Sequence, residues 1–465
     1  MNEFLTLMKP ELVITVIIFL LLFIKIGTGI KNETMLLLIQ VLLLLNFIAG
    51  FFFNKEGVLF DGMYQTTNMI AMQKNILSLG VYLISLLFAG WFKKSEHMPE
   101  FFMLMLSALL GMFFLISSGN LLMFFLSLEL ATIPVAAMAN FDLDKKRSSE
   151  AAMKMILSSA FSSGILLFGI SLIYGATGTI SFIELPQHLD GSGLQVLALV
   201  FLFSAFAFKL SIVPFHLWTA DVYEGSPIAA TSFLSVISKG AVAFIFMATL
   251  YKVFQPMHEV WYNLVMILSI ATMIIGNLFA LRQQNIKRFL AFSSIAQVGF
   301  ILVGISSNSI EGTTAVVYFI LIYLFSNLAA FGVAAAISSQ TNKENIDDYK
   351  GFYQTNPFLS WVLALALFSL AGIPPTAGFF GKLFLLTAGA SKGSYFFITI
   401  AALNMIVSLF YYLRVVRAVF MEKNEQPIEK IKIDLSAKLG LTICAAGIVL
   451  TGLLSWIYDY IHSLS

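Results

Sequence analysis

The sequence predicts an all-α integral membrane protein of about fourteen transmembrane helices, with two inverted five-helix repeats that each contain a discontinuous helix. Three observations lead to this fold class. Apolar runs of roughly 20 residues, the length a helix needs to cross hydrocarbon, recur along the whole chain. Of its 465 residues, 59% are hydrophobic and only 11% charged, with a mean hydropathy of +0.90, whereas a soluble domain needs about 25% charged residues. Two of the apolar runs are interrupted by proline at corresponding positions.

The expected spans are 11–27, 34–53, 75–92, 101–118, 120–140, 149–174, 194–218, 227–252, 260–281, 286–305, 313–338, 357–389, 394–420 and 437–459. The first reads as a retained span. Glu3 precedes Lys9, and no small-residue cleavage site closes the run. The basic residues test the count independently. Loops after odd-numbered spans hold Lys25, Lys31, Lys93, Lys94, Lys145, Lys146, Arg147, Arg282, Lys287, Arg288, Lys343, Lys350 and the basic residues from Arg414 to Lys438. Loops after even-numbered spans hold only Lys55, Lys74, Lys252 and Lys392. Because Lys and Arg accumulate on the cytoplasmic side, the odd-to-even loops are expected there and both termini outside. A wrong count would scramble this alternation.

Span seven breaks at Pro214, which removes a backbone donor. Span twelve breaks in Ala371-Gly372-Ile373-Pro374-Pro375. Each is the fourth of a five-span unit, and paired interrupted spans are the mark of an inverted repeat. The expected organisation is an N-terminal three-helix segment (1–100), a first repeat of spans four to eight (101–252), a second of spans nine to thirteen (260–420), and a connection with span fourteen (421–465).

Several chemistries are excluded. A net charge of +2 provides no field for nucleic acid. One cysteine, Cys444, holds neither a disulfide nor an iron–sulfur cluster, and the five histidines lack ligand spacing, so no metal or redox centre is expected in this chain. Gly378-x-x-Gly381-Lys382 is not a phosphate loop: the spacing is short, and Leu383 stands where Ser or Thr would meet magnesium.

What remains is a set of ionisable residues inside predicted spans: Glu129, Lys154, Lys209, Lys239 and Lys382. Each costs about 2.5–3.5 kcal/mol at a helix centre on insertion scales, which makes an intramembrane charge a functional candidate. Lys154 lies near a helix end, four residues after Glu150, and reads equally as a structural pair or a relay entry. Lys209 lies deep in an apolar helix, five residues before Pro214, where freed carbonyls require protein or water partners. Lys239 sits mid-span among Ser235, Ser238 and Gly240. Lys382 follows the Pro374-Pro375 break. Hydrocarbon disfavours an ammonium, whereas a nearby carboxylate favours it. Moving or neutralising Glu129 would therefore switch Lys209 between holding and releasing a proton.

The strings Phe208-Lys209-Leu210-Ser211-Ile212-Val213-Pro214-Phe215-His216, Asp221-Val222-Tyr223-Glu224-Gly225, Asn285-Ile286-Lys287-Arg288 and Ala371-Gly372-Ile373-Pro374-Pro375, the last running to Gly381-Lys382, complete the picture. In order, spacing and span count over nearly the whole chain, the sequence resembles the subunit N family of proton-pumping NADH–quinone oxidoreductase, respiratory complex I. It keeps lysine at Lys382, where sister subunit M has glutamate. Phe292 stands where many relatives have tyrosine. The resemblance implies that Glu129 pairs electrostatically with Lys209, that Lys239 relays, and that Lys382 faces the exit half-channel. Glu150, Lys154, His216 and Lys287 are supporting residues. It also implies a bacterial inner membrane, neighbouring membrane-arm subunits, and NADH, FMN, iron–sulfur clusters and quinone confined to those partners. Three rivals share features: a cation/proton antiporter subunit, a carrier of small organic solutes, and a subunit of a hydrogenase or ferredoxin-driven complex.

Overall fold

A computed structural model describes residues 2–27, 30–52, 55–391 and 393–465; Lys392, one of the loop cations above, lies outside the described residues. Without water in the bilayer core, each backbone amide must be satisfied within its own segment, so the apolar runs become helices. Among the described residues, thirteen helices are long and apolar enough to cross a membrane. The half-helices Pro357–Ala371 and Ala377–Ala390 make up one more span, so the expected count of fourteen holds. The spans are Lys9–Gly27, Asn32–Ala49, Asn68–Leu87, Met98–Ile116, Leu121–Ala139, Lys146–Thr177, Gly193–Leu210, Ile228–Val253, Gln255–Arg282, Ile286–Ser306, Ile310–Thr341, the Pro357–Ala390 pair, Tyr395–Phe420 and Leu435–Leu453.

Several boundaries differ from expectation, span seven ending at Leu210 rather than 218 and span nine starting at Gln255 rather than 260. Span three begins at Asn68, capped by the Thr67 hydroxyl, which accepts from the amide of Ile70. Gln73 and Lys74, expected in the loop before span three, lie instead buried within the first turns of this helix, next to Asn75. Lys74 is therefore not a loop cation. Span three ends at Leu87, followed by a separate short helix, Ala89–Lys94. Span fourteen ends at Leu453, and Trp456–Ser463 forms its own amphipathic helix.

Burial divides the bundle into layers. Every residue of the most apolar window of spans ten and eleven is buried, as is most of spans three and eight. Spans one, six, thirteen and fourteen show apolar side chains such as Phe23, Phe161, Phe410 and Leu453 on the outside, as a bilayer or a membrane partner requires. Two glycines permit matching close crossings. A Cβ at Gly111 of span four would lie 2.4 Å from the Ala131 amide nitrogen of span five, and one at Gly276 of span nine 2.7 Å from that of Ala296 in span ten.

Residues 421–434 run across the basic face. Ile428 and Ile431 are buried there, and the Asn356 side chain accepts from the Ile431 amide at 2.8 Å. The segment ends at Asp434, which caps span fourteen and pairs with Lys93 at 2.6 Å. Partial burial by itself would raise the Asp434 pKa, but hydrogen bonds from Lys93 and from the Ser436 amide hold it below the usual carboxylate range.

Two outcomes follow. Gly276→Ala should destabilise the protein by about 1–3 kcal/mol through overpacking against backbone, seen as a lower Tm in detergent; an unchanged Tm would show that the crossing relaxes freely. Asp434→Ala should lose a helix cap worth about 0.5–2 kcal/mol, with Asp434→Asn losing less. Because the folded pKa lies below the unfolded one, the ionic part of this stabilisation is present above the usual carboxylate range and fades as pH falls through the folded value. The Tm gap between wild type and Asp434→Asn should therefore close in acid.

Candidate functional site

Span seven breaks after Leu210 because Ser211 takes a left-handed conformation (φ 63°) and Pro214 has no amide proton to give. The orphaned groups find partners. The Trp218 indole donates to the Phe208 carbonyl at 3.1 Å, and Thr272 accepts from the Val213 amide at 3.1 Å. Lys209 occupies the last turn before the break and is buried. Its ammonium donates to the Thr132 hydroxyl of span five and, at 2.8 Å, to the Ser159 hydroxyl of span six. Beside it lies a cavity of about 20 Å³, lined by Lys209, Thr132, Trp218 and Ser238. That volume is enough for about one water, and it extends from Lys209 to the neighbour of Lys239.

Glu129 is half-buried and accepts a hydrogen bond from the Ser163 hydroxyl. Among the described residues, no carboxylate lies within ion-pair distance of Lys209. Ser159 and Ser163 are one turn apart on span six, and Glu129 and Thr132 three residues apart on span five. Hydroxyls of Ser163, Ser159 and Thr132 thus stand between the acid and the amine, whose expected relation is electrostatic.

Lys239 follows a π-helical segment, Phe233–Ser238, in span eight. Such segments occur mostly at functional sites. Its ammonium donates to the Ser294 hydroxyl at 2.6 Å and lies 5.5 Å from the centre of the Tyr223 ring. Close by, Ser235 donates to the Asn327 side-chain oxygen at 2.9 Å, and Asn327 donates to Tyr323 at 2.7 Å.

The second break separates Pro357–Ala371 from Ala377–Ala390. Here the lysine follows the gap. Lys382, fully buried, reaches back to the open carbonyls of the first half, Leu370 at 2.7 Å and Ala371 at 3.2 Å, with the Phe300 ring centre 4.7 Å away. Two glycines make room for this. Gly372 adopts φ 86°, and a Cβ on Gly378 would lie 1.7 Å from the Ser369 carbonyl oxygen.

Between Lys239 and Lys382 stands Gln297, which sequence reasoning did not single out. It lies three residues after Ser294 on span ten. It donates to the same Leu370 carbonyl that receives Lys382, at 2.9 Å, and to the Tyr412 hydroxyl at 3.0 Å. Its own side-chain oxygen is buried without a partner. The available signal was the polar set Ser293, Ser294 and Gln297 in an otherwise apolar span.

The supporting residues divide. Lys154 is not buried: its side chain is 42% exposed and pairs with Glu150 at 2.7 Å and Asp221 at 2.6 Å. Asp221 also binds Arg288, which binds Glu224 at 2.8 Å. Lys287 pairs with Glu344 at 2.8 Å and donates to the Glu224 carbonyl at 3.2 Å. Burial works against ionisation of Glu344, but Lys287 with Ser338 and Asn285 holds its pKa below the usual range. Arg147, Glu224, Lys287 and Glu344 line a cavity of about 850 Å³ on the basic face. His216 is buried at the N-cap of the short helix Leu217–Gly225 that follows the break in span seven, with no partner for Nδ1 and no bond to Lys209. A second omission is Glu11 with Lys74, a fully buried ion pair at 2.5 Å outside both broken spans.

Comparison with known proteins shows the family to which the chain belongs. The model for the transmembrane region of NADH:quinone oxidoreductase and Mrp antiporters matches residues 118–408, a stretch that holds Glu129, both breaks and Lys209, Lys239 and Lys382. NADH-quinone oxidoreductase subunit N of Phocaeicola vulgatus is 49% identical over 409 residues, 87% of each chain. The subunit N of Azobacteroides pseudotrichonymphae is 45% identical over 419 residues, 89% of this chain and 87% of its own. A chain in the structure of respiratory complex I from Thermus thermophilus superposes with a TM-score of 0.83 at 26% identity, covering 98% of this chain and 100% of that one. The chain belongs to the NADH:quinone oxidoreductase/Mrp antiporter family of membrane subunits, in its subunit N branch.

Proposed function

We propose that this chain translocates protons across a bacterial inner membrane as a subunit of NADH–quinone oxidoreductase, on a line running from Lys209 through Lys239 to Lys382 with Glu129 as its modulator. One observation carries the reading. Among the described residues, each of these three buried amines is held by hydroxyls, carbonyls or an aromatic face, with no carboxylate within ion-pair distance. A buried ammonium without a counter-ion is costly, so each amine is poised to give up its proton.

The route follows from the contacts. Charge on Glu129, felt through Ser163, Ser159 and Thr132, favours the ammonium at Lys209; withdrawing that charge releases the proton. A water in the cavity beside Ser238 carries it towards Lys239. From Ser294, water held by the free oxygen of Gln297 carries it on to Lys382. The ammonium groups occupy the oxygen clusters where a sodium ion would need to sit, which favours protons over sodium. A cavity the size of one water also suits protons better than an organic solute.

The remaining assignments belong to the same proposal. Residues 101–252 and 260–420 form two inverted units, supported by the matching crossings at Gly111 and Gly276 and by one lysine beside each break. Residues 1–100 add a three-helix segment, and 421–465 a connection with span fourteen. The basic face is cytoplasmic, with both termini on the opposite side. Energy comes from partner membrane-arm subunits and from the NADH, FMN, iron–sulfur clusters and quinone held outside this chain, in an enzyme of the translocase class with no redox step here.

Lys209→Ala should lower the protons taken up per NADH oxidised by inverted membrane vesicles containing the assembled complex; a wild-type ratio would refute the scheme. Gln297→Leu, which removes neutral hydrogen bonds worth about 0.5–1.5 kcal/mol each and the oxygen that holds water, should slow uptake roughly tenfold, while Gln297→Glu retains an oxygen for water and should slow it less. Equal rates for all three proteins would remove Gln297 from the route.

A further inference from the structure

Glu11 of span one and Lys74 of span three lie outside the line just described, and each is 1% exposed. The ammonium of Lys74 contacts one oxygen of Glu11 at 2.5 Å and donates to the Tyr64 hydroxyl at 3.1 Å. Tyr64 donates in turn to the Leu7 carbonyl at 3.0 Å. The pair is incompletely satisfied. The second oxygen of Glu11 has no partner, and neither does either polar atom of the Asn75 side chain. A buried ion pair recovers its desolvation cost more fully when its remaining lone pairs are bonded, so the open Glu11 oxygen is a place for a further hydrogen-bonding partner such as water.

Space for water lies alongside. A cavity of about 20 Å³ is lined by Lys9, Asn46, Lys74, Asn75 and Ser78, large enough for about one water with several polar partners. Lys9 stands at one end, donating to the Ala49 carbonyl at 2.8 Å, where span two finishes. On the other side, Tyr64 lies in the hairpin of Gly57–Leu59 and Tyr64–Thr66, which is bonded to the end of span four: Gln65 donates its amide to the Ser117 carbonyl at 2.9 Å, and the Ser117 hydroxyl is buried without a partner. Tyr64 and Lys9 are thus the other titratable groups facing the pair.

We propose that Glu11 and Lys74 form a fourth proton-binding site, hydrated through this cavity, through which the N-terminal three-helix segment passes protons on the face opposite the basic loops. The proposal rests on the reading of Lys209, Lys239 and Lys382 as proton carriers. A proton arriving at the unpartnered Glu11 oxygen makes a carboxylic acid and leaves Lys74 without its counter-ion. Lys74 then releases a proton to the cavity water, giving a neutral acid and amine. Transfer of the acid proton from Glu11 to Lys74 restores the ion pair. One proton enters and one leaves, and no net charge remains behind.

The test uses the assembled complex in inverted vesicles, read as protons moved per NADH oxidised. The double variant Glu11→Gln/Lys74→Met removes both charges at nearly constant volume and should lower this ratio by the same share as Lys209→Met measured beside it. Because a variant can fail to assemble, a second measurement uses the unmodified protein. Dicyclohexylcarbodiimide, which attacks protonated carboxyl groups in apolar surroundings, should label Glu11 during NADH turnover and not at rest, read by peptide mass spectrometry. A wild-type ratio in the double variant, or no label at Glu11 during turnover, overturns the site. If Lys209→Met alone lowers the ratio, only the N-terminal site fails; if neither variant lowers it, the reading on which it rests fails as well.

Discussion

The architecture depends on how an amine can be kept inside hydrocarbon without a counter-ion. An intact helix offers nothing to a buried ammonium, because its carbonyls are already bonded to its own amides. Breaking the helix frees those carbonyls. Lys382 uses this directly, binding the Leu370 and Ala371 carbonyls exposed by the gap in span twelve. Lys209 uses it indirectly: Trp218 caps the Phe208 carbonyl, and the ammonium turns to hydroxyls from spans five and six. The prolines and glycines are therefore conditions for the lysines to exist where they do.

The two ends of the proposed line solve this differently. Lys209 precedes its break and sits near a carboxylate reached through hydroxyls. Lys382 follows its break and has only carbonyls and a ring. In the proposed scheme, a change at Glu129 acts on Lys209 more than on Lys382. Between them, Lys239 adjoins a π-helical segment and is held by a single serine hydroxyl among its hydrogen-bonding contacts, the loosest of the three attachments. Surrounding spans eight, ten and eleven are the most buried of the bundle, which keeps the middle of the route away from lipid.

The ion pair of Glu11 and Lys74 provides the contrast. There the amine has its carboxylate, and the helices on both sides are unbroken. That pairing lets span three remain a regular helix with a charge buried near its start. Where a carboxylate was not supplied, the backbone had to yield.

Much of this was legible in the residues alone. Apolar run length determined the number of spans, because hydrocarbon thickness sets one length for all of them. Proline determined where two would break, since a missing amide proton has the same effect in any fold. The isolation of Lys209, Lys239 and Lys382 among apolar neighbours marked them before any contact was known. Only the tertiary structure decided what each amine touches. Hydroxyls between Glu129 and Lys209, the shared carbonyl of Gln297 and Lys382, and the pairing of Lys154 with Asp221 all join residues from different spans. Lys74 shows the boundary most clearly: beside Gln73 and Asn75 it has the composition of a loop, and only a glutamate 63 positions earlier in the chain, brought against it by packing, makes it a buried residue. Local sequence encodes solubility and backbone geometry; the partner that neutralises or retains a charge is set by which helices meet.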